Sequence, residues 1–190
     1  MNVKSETRHK IIRTASDLFY EKGYNLIGIN EIIEESGIAK ATLYSHFRSK
    51  EELLLAYLDE KDQELLKNIR AFCSSKSTGD AQLIAVLEFL IPFFEQEDFN
   101  GCWCIRSIAE VPRENVKVRT KIKSNKQAFR QFVLELVQSN KPELGESQQQ
   151  QLSNQLYLLY EGALMESHLQ GAAWPIETSI GLLKDKLQGK

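Results

Sequence analysis

The stretch from Gly28 to Leu54, GINEIIEESGIAKATLYSHFRSKEELL, constrains the fold of this chain more than any other. Two short amphipathic segments are separated by Gly37, and a third helical pattern begins at Ser49. Glycine readily adopts the left-handed backbone that ends one helix and turns the chain into the next. Two short helices joined in this way form a helix-turn-helix, whose second helix can enter a DNA major groove. The sequence therefore predicts duplex DNA as a partner.

Helical periodicity continues along the rest of the chain without a convincing strand pattern. We expect helices over residues 6–22, 30–36, 40–47, 49–73, 80–94, 102–110, 113–139 and 147–170, and from 174 onward. Ser49 and Glu52 have the spacing of a capping box, and Asp80 is expected to cap the helix that it precedes. The residues expected to turn inward in the helix-turn-helix are Ile29, Ile32, Ile33, Ile38, Leu43 and Phe47.

These patterns predict an all-α fold with two parts. Residues 1–48 form an N-terminal three-helix, helix-turn-helix DNA-binding domain, here called the head. Residues 49–190 form a C-terminal helical domain, here called the body.

Charge and composition limit the class of protein. The net charge is −2, but residues 1–50 carry eight Lys or Arg against six Asp or Glu, so the acidic excess lies in the body. This asymmetry is expected if only the head meets phosphate. No apolar run approaches the roughly 20 residues that span a bilayer, and the first residues lack a signal-peptide pattern. Three cysteines, an odd number, argue against a disulfide framework. We expect a cytoplasmic protein without a membrane partner.

The second short helix of the head has an outer face suited to DNA. With Leu43 and Phe47 turned inward, its remaining polar side chains can all donate hydrogen bonds and none is acidic. Such side chains can anchor phosphates at the edge of a contact and meet base edges at its centre. The candidate DNA-binding residues are Asn30, Lys40, Ala41, Thr42, Tyr44, Ser45, His46 and Lys50. The alternative is that the glycine turn makes a simple corner between two helices, without a role in DNA binding.

Residues at fixed spacing over about 8–55 make the head similar to the TetR family of bacterial transcriptional regulators. These residues are Phe19, Gly23, Tyr24, Ile32, Gly37, Thr42, Leu43, Tyr44, Phe47, Lys50, Leu53 and Leu54. The resemblance implies that residues 49–190, the body, form an all-helical domain for ligand binding and dimerisation, and that the long helix after Ser49 links the head to it. It also implies a homodimer that represses transcription until a small molecule binds this domain. Gly28 departs from the family pattern, which usually has a Ser or Thr N-cap there, at a cost of a few tenths of a kcal/mol. Ser45 is also small for a residue that reads bases.

Two heads about 34–36 Å apart would meet successive major-groove faces, which predicts a pseudo-palindromic operator and salt-sensitive binding. The resemblance also implies that the last two long helices pair with those of a second copy. The predicted interface residues are Phe129, Phe132, Leu156, Tyr160, Ala163 and Leu164. The alternative is that they serve only the core of their own chain.

The middle of the body is rich in aromatic residues, which commonly line small-molecule pockets. The candidate effector-binding residues are Tyr57, Phe93, Phe94, Trp103 and Cys102. The alternative is that the aromatic rings fill the core. Cys102 and Cys104 could be sensitive to oxidants or electrophiles, with Arg106 lowering a thiol pKa, or they could be buried and inert.

Other classes of function leave no signature in this chain. No metal site is predicted, because His168 and the acidic residues do not have the spacing of zinc ligands. No cofactor is predicted, and the motifs of hydrolases, P-loop proteins, dinucleotide-binding enzymes and zinc proteases are absent, so we do not expect an enzyme. The remaining alternative is a small-molecule-binding or interaction module that does not bind DNA. Such a module has no need for the basic and hydroxyl side chains of the second short helix.

Overall fold

A computed structural model describes residues 3–189 of the chain. Its helices are α1 (Val3–Lys22), α2 (Ile29–Ser36), α3 (Lys40–His46), α4 (Lys50–Ser74), α5 (Asp80–Glu88), α6 (Leu90–Phe94), α7 (Trp103–Glu110), α8 (Val116–Asn140), α9 (Glu146–Gln170) and α10 (Trp174–Leu187). No strand occurs among the described residues, so the all-α prediction is confirmed. Within the same range, no helix combines the length and the apolar character needed to cross a membrane. The predicted domains also include residues 1, 2 and 190, which lie outside the described residues.

Backbone contacts group the chain into two compact units. The first comprises the described part of Met1–Gln63 together with Trp103–Asn125. Apolar side chains three or four positions apart on α1 face its core, as expected for an amphipathic helix. The fully buried side chains of this unit include Ile11, Ile27, Ile32, Leu43, Leu53, Leu54, Tyr57 and Leu58. The predicted boundary between residues 48 and 49 stays a prediction.

The helix-turn-helix follows from its glycines and its apolar spacing. Gly28 is the N-cap of α2, and Gly37 ends α2 with a φ of 61°, in the left-handed region. Ile32, Leu43 and Phe47 are buried as predicted. The predicted burial of three other residues is only partial, because Ile29, Ile33 and Ile38 remain half-exposed at the surface of these short helices. α3 ends at His46, one residue earlier than predicted.

The start of α4 is capped as the sequence predicts. The backbone N–H of Glu52 donates to Oγ of Ser49 at 3.1 Å. The carboxylate of Glu52 accepts a 2.7 Å hydrogen bond from the N–H of Arg48, one residue before the N-cap, rather than from Ser49 itself. These bonds fix the direction in which the chain leaves the head and enters α4.

The second unit comprises Glu64–Cys102 and the described part of Lys126–Lys190. In it, α10 packs against α9 and α5, and α9 also contacts α5 and α6. The buried residues of this unit include Ile69, Leu83, Leu87, Leu90, Phe129, Val133, Val137, Leu156, Tyr160 and Leu183. The long amphipathic helices predicted from the sequence therefore do enclose a core here.

The helix predicted over residues 80–94 is interrupted. It consists of α5 and α6, which are separated at Phe89. Pro92 lacks the N–H that would donate to the carbonyl of Glu88 in a continuous helix, and this accounts for the break. The predicted cap is also wrong by one position, because the N-cap is Gly79, with a φ of 92°. Asp80 is the first helical residue, and its carboxylate lies 2.6 Å from Nζ of Lys141.

The start of α8 also differs from the prediction. The helix begins at Val116 rather than at residue 113. The side-chain oxygen of Asn115 accepts a 3.1 Å hydrogen bond from the N–H of Val118, so Asn115 caps this helix. The segment between Pro112 and Asn115 is a turn closed by a 3.0 Å backbone hydrogen bond.

Candidate nucleic-acid interface

The outer face of α3 is formed by polar residues that the sequence singled out. Lys40, Ala41, Tyr44 and Ser45 are exposed, and Thr42 and His46 are half-buried. Tyr44 is 45% exposed, although Leu43 beside it is fully buried. Asn30, on α2, is exposed as well. The helix KATLYSH has no acidic residue, so this face presents donors without a repelling negative charge.

The Ser45 side chain is partly engaged within α3. Its hydroxyl donates a 2.7 Å hydrogen bond to the carbonyl oxygen of Thr42. The hydroxyl oxygen can still accept a hydrogen bond, whereas its proton is used within the helix. Among the candidate residues of α3, Ser45 is therefore better suited to accepting than to donating.

Lys50 begins α4 and lies against an aromatic ring. Its ammonium nitrogen is 4.2 Å from the centre of the Tyr24 ring, a cation–π distance. Burial lowers the pKa of Lys50, and the negative charge of Glu110 opposes that effect. The ring therefore fixes the position of a half-exposed cation at the edge of the head.

Other features of the head were not predicted from any motif. The guanidinium carbon of Arg8 lies 5.0 Å from the centre of the Phe47 ring, next to the end of α3. Nζ of Lys10 lies 4.0 Å from where a Cβ on Gly37 would be. The excess of basic residues in the first 50 positions was the one sequence signal for such cations. Gly28 has no side chain to cap the first N–H groups of α2, which point outward at a helix N-terminus.

The predicted effector residues lie in both units. In the second unit, Phe93 and Phe94 each contact the Phe99 ring edge-on, with centroid distances of 5.2 and 5.3 Å. The Phe99 ring in turn contacts His168 at 5.8 Å. In the first unit, Tyr57 is buried, with its ring 5.9 Å from that of Phe19, and Trp103 is buried as well. The role of these residues in effector binding stays a prediction.

The three cysteines are buried thiols. Nζ of Lys126 lies 3.3 Å from the Cys102 sulfur and 2.6 and 2.7 Å from the Glu161 carboxylate oxygens. Burial first, and then the charge of Glu88, raises the pKa of Cys73 to about 12. Across the described part of the chain, no group of three or more His, Cys, Asp or Glu side chains is arranged to hold a metal ion.

The predicted dimer-interface residues are not at the surface. Phe129, Phe132, Leu156, Tyr160, Ala163 and Leu164 are each 3% exposed or less within a single chain. The Phe129 and Tyr160 rings contact each other at a centroid distance of 4.6 Å. These six side chains form the chain's own core and offer no area to a second copy, so their assignment to the interface is wrong.

A different apolar face of α9 is exposed. It consists of Leu158, Gly162, Met165 and Leu169, here called the exposed stripe, whose spacing places them on one side of the helix. Leu158 and Leu169 are 66% and 74% exposed. On α10, Trp174 and Leu182 are exposed as well. The apolar pattern of α9 covers two faces, and periodicity alone did not show which of them faces the core.

Comparison with known proteins finds similarity to bacterial regulators both in the head and over the whole chain. Residues 11–57 match a family model described as "TetR_N: Bacterial regulatory proteins, tetR family". The HTH-type transcriptional activator FasR of Mycolicibacterium smegmatis is 32% identical over 94 residues, which cover 50% of this chain and 43% of FasR. The HTH-type transcriptional regulator LmrA of Bacillus subtilis is 35% identical over 99 residues, or 50% of this chain and 52% of LmrA. The chain thus spans about half the length of these curated relatives.

The relatives that align over the full length of this chain have lower sequence identity to it. The HTH-type transcriptional repressor NemR of Escherichia coli is 20% identical over 191 residues, covering 97% of this chain and 95% of NemR. The crystal structure of SCO4454, a TetR-family transcriptional regulator from Streptomyces coelicolor, has a TM-score of 0.85 and 28% identity, with 99% of this chain and 98% of that chain covered. These relatives are named as transcriptional regulators, and the expectation that the chain is not an enzyme is confirmed by them.

Proposed function

We propose a function from one premise: this chain belongs to the TetR family of bacterial regulatory proteins. It acts as a sequence-specific transcriptional regulator that binds a pseudo-palindromic operator as a homodimer in the cytoplasm. A small molecule binds the body and releases the operator. The observation that carries this proposal is the outer face of α3, where hydrogen-bond donors are exposed and acidic residues are absent.

The roles within the head follow from position. Residues at the centre of α3, Tyr44 and Ser45, meet base edges, and Lys40, Thr42 and His46 contact the flanking backbone. Asn30 and the N-terminus of α2 contact a phosphate, since a helix N-terminus attracts negative charge. Lys50, supported by Tyr24 at 4.2 Å, anchors another phosphate at the start of α4.

The homodimer forms through the exposed stripe of α9 together with α10. The stripe leaves large apolar side chains in water, which disfavours a lone chain. Gly162 supports close helix approach, because a Cβ at this position would meet nothing of its own chain within 4 Å. A glycine in a helix interior lowers the stability of the fold by about 0.5–1 kcal/mol relative to alanine. No contact within the chain explains why glycine occupies position 162. A second copy of α9 packed closely against this face would explain the glycine.

The sign of regulation and the effector belong to the proposal as well. The relatives include a protein named as an activator, FasR, and one named as a repressor, NemR. We adopt repression, with release on effector binding, because it is the usual behaviour that the family resemblance implies. A coupling free energy of about 1–3 kcal/mol between effector binding and operator binding is sufficient for such release.

Selection of bound fragments from a random DNA pool tests the proposal. We expect recovery of an inverted repeat, bound with an affinity that falls steeply with salt concentration because phosphate contacts release counterions. Fluorescence anisotropy with the selected site and a scrambled site of equal length provides the control. Equal affinity for both sites would contradict sequence-specific binding and favour the alternative of a small-molecule-binding or interaction module.

A further inference from the structure

We propose that Glu110, the last residue of α7, is a positioning residue that sets the orientation of α2 and α3 relative to the operator. This inference rests on the proposed function, because it concerns how the helices of the head are held for DNA binding. Glu110 does not itself touch DNA in this account. It acts through the turn between α1 and α2, which includes Gly23, Tyr24 and Asn25.

Glu110 holds this turn through two hydrogen bonds to one residue. The backbone N–H of Asn25 donates to Oε2 of Glu110 at 2.6 Å. The side-chain amide of Asn25 donates to the backbone carbonyl of Glu110 at 2.9 Å. The second bond satisfies a carbonyl at the end of α7, where helical carbonyls lack a partner within their own helix. Residues 85 positions apart in the sequence are thereby joined at a single point.

Gly23 adds a steric reason for the same contact. Its φ is 92°, a conformation that other residues rarely adopt. A Cβ on Gly23 would lie only 2.6 Å from Oε1 of Glu110. The carboxylate of Glu110 is therefore packed against the backbone of the turn, where a Cβ on residue 23 would displace it, and the positive φ favours glycine at this position.

The position of Glu110 in its own helix also calls for an explanation. A carboxylate at a helix C-terminus is disfavoured by the helix dipole. The last turn of α7 contains no basic residue that would offset this charge. Helix stability therefore does not account for a glutamate at this position, whereas its hydrogen bonds to the α1–α2 turn and its charge near Lys50 do.

The chain just after Glu110 holds the other side of the helix-turn-helix. The side-chain amide of Asn115 donates to Oε2 of Glu51 at 2.9 Å, and Nζ of Lys117 lies 3.7 Å from Oε1 of Glu51. Glu51 lies in the first turn of α4, immediately after α3. Residues 110–117, here called the α7–α8 corner, thus contact the segment before α2 and the segment after α3. Both flanks of the helix-turn-helix are attached to the corner.

This arrangement has a measurable consequence for a dimer on DNA. If the turn is released from Glu110, α3 can adopt a wider range of orientations. Two such heads would then tolerate half-sites at the wrong separation better than the parent protein does, even where the contacts to each half-site are kept. The ratio of affinities for operators with correct and altered half-site spacing therefore measures how well α3 is positioned. A residue that only stabilises the fold would not change this ratio.

The test uses the full-length protein, the selected operator, and two operators with one base pair added or removed between the half-sites. In Glu110→Ala, we expect the preference for the correct spacing to fall about fivefold or more, as for a typical coupling between sites. Glu110→Gln keeps a carbonyl oxygen that can accept from Asn25 and should retain most of the preference. Glu114→Ala is the matched control, because Glu114 is an exposed carboxylate in the same corner and should leave the preference unchanged.

Asn25→Ala provides a second, milder variant, which removes only the side-chain hydrogen bond and should shift the preference in the same direction. If Glu110→Ala does not fold, Asn25→Ala provides the test of the inference. If the parent protein prefers the correct spacing and Glu110→Ala or a folded Asn25→Ala shows the same preference, this inference is contradicted but the proposed function is not. A parent protein that prefers no DNA sequence overturns the proposed function as well.

Discussion

The ammonium nitrogen of Lys50 lies 4.2 Å from the centre of the Tyr24 ring, so a residue of the α1–α2 turn supports the first cation of α4. Both residues belong to the set that makes the head similar to the TetR family. The contact gives Lys50 a defined position while its nitrogen stays partly exposed. It therefore supports a role for Lys50 as a phosphate anchor.

Lys50→Ala should weaken binding to specific and scrambled DNA by similar factors. A phosphate contact carries no sequence information, and its loss should reduce the slope of log affinity against log salt by about 1. Anisotropy titrations at several salt concentrations measure both effects. Lys67→Ala is the control, because Lys67 is an exposed lysine farther along α4. An unchanged salt slope in Lys50→Ala would contradict the assigned role.

Tyr44→Ala should reduce the affinity for the selected operator by about 1–3 kcal/mol, which is typical of a residue that contacts bases. Because Tyr44 is 45% exposed, the melting temperature should change little. Tyr44→Phe separates the contribution of the hydroxyl from that of the ring. If Tyr44→Ala binds the operator with the affinity of the parent, Tyr44 does not contact the operator.

Leu158→Glu and Leu156→Ala form a matched pair on α9. Leu158 is 66% exposed, so a charge there should leave the monomer fold intact but separate the dimer, as sedimentation velocity would show. Leu156 is fully buried, so its truncation should lower the free energy of unfolding by about 2–5 kcal/mol. Persistence of the dimer in Leu158→Glu would exclude the exposed stripe as the interface.

The buried thiol of Cys73 predicts a stability loss in alkaline solution. Its pKa is raised to about 12 from an ordinary value near 9, chiefly by burial. Above pH 9 the unfolded chain releases the thiol proton while the folded chain keeps it. Stability that is fully present below pH 9 should therefore decrease by up to about 1.4 kcal/mol per pH unit until pH 12 is approached. Denaturant titrations of the parent and Cys73→Ala should differ in this slope, and equal slopes would contradict the raised pKa.

The helix-turn-helix was predictable because its signals are local. The burial of Leu43 and Phe47 follows from spacing, and the turn at Gly37 follows from the conformational freedom of glycine. The break between α5 and α6 also had a local cause, Pro92, but the apolar run around it favoured one continuous helix. Gly79 was missed as the cap because Asp80 has the more familiar capping side chain.

Contacts between distant residues could not be predicted in the same way. Nothing in the periodicity of α7 pairs Glu110 with Asn25, since their contact depends on how α7 packs beside the head. The interface residues were wrong for a related reason. Leu156 and Leu158 belong to two apolar faces of α9, and only tertiary packing shows that the first lies in the core and the second in solvent.

The central claim is that two copies of the chain place their α3 helices in successive major grooves. Hydroxyl-radical footprinting of the selected operator measures this most directly. We predict two protected regions related by a two-fold axis and centred about one helical turn, 34–36 Å, or a multiple of it apart. Protection of a single half-site, or uniform protection that does not depend on sequence, would contradict the account.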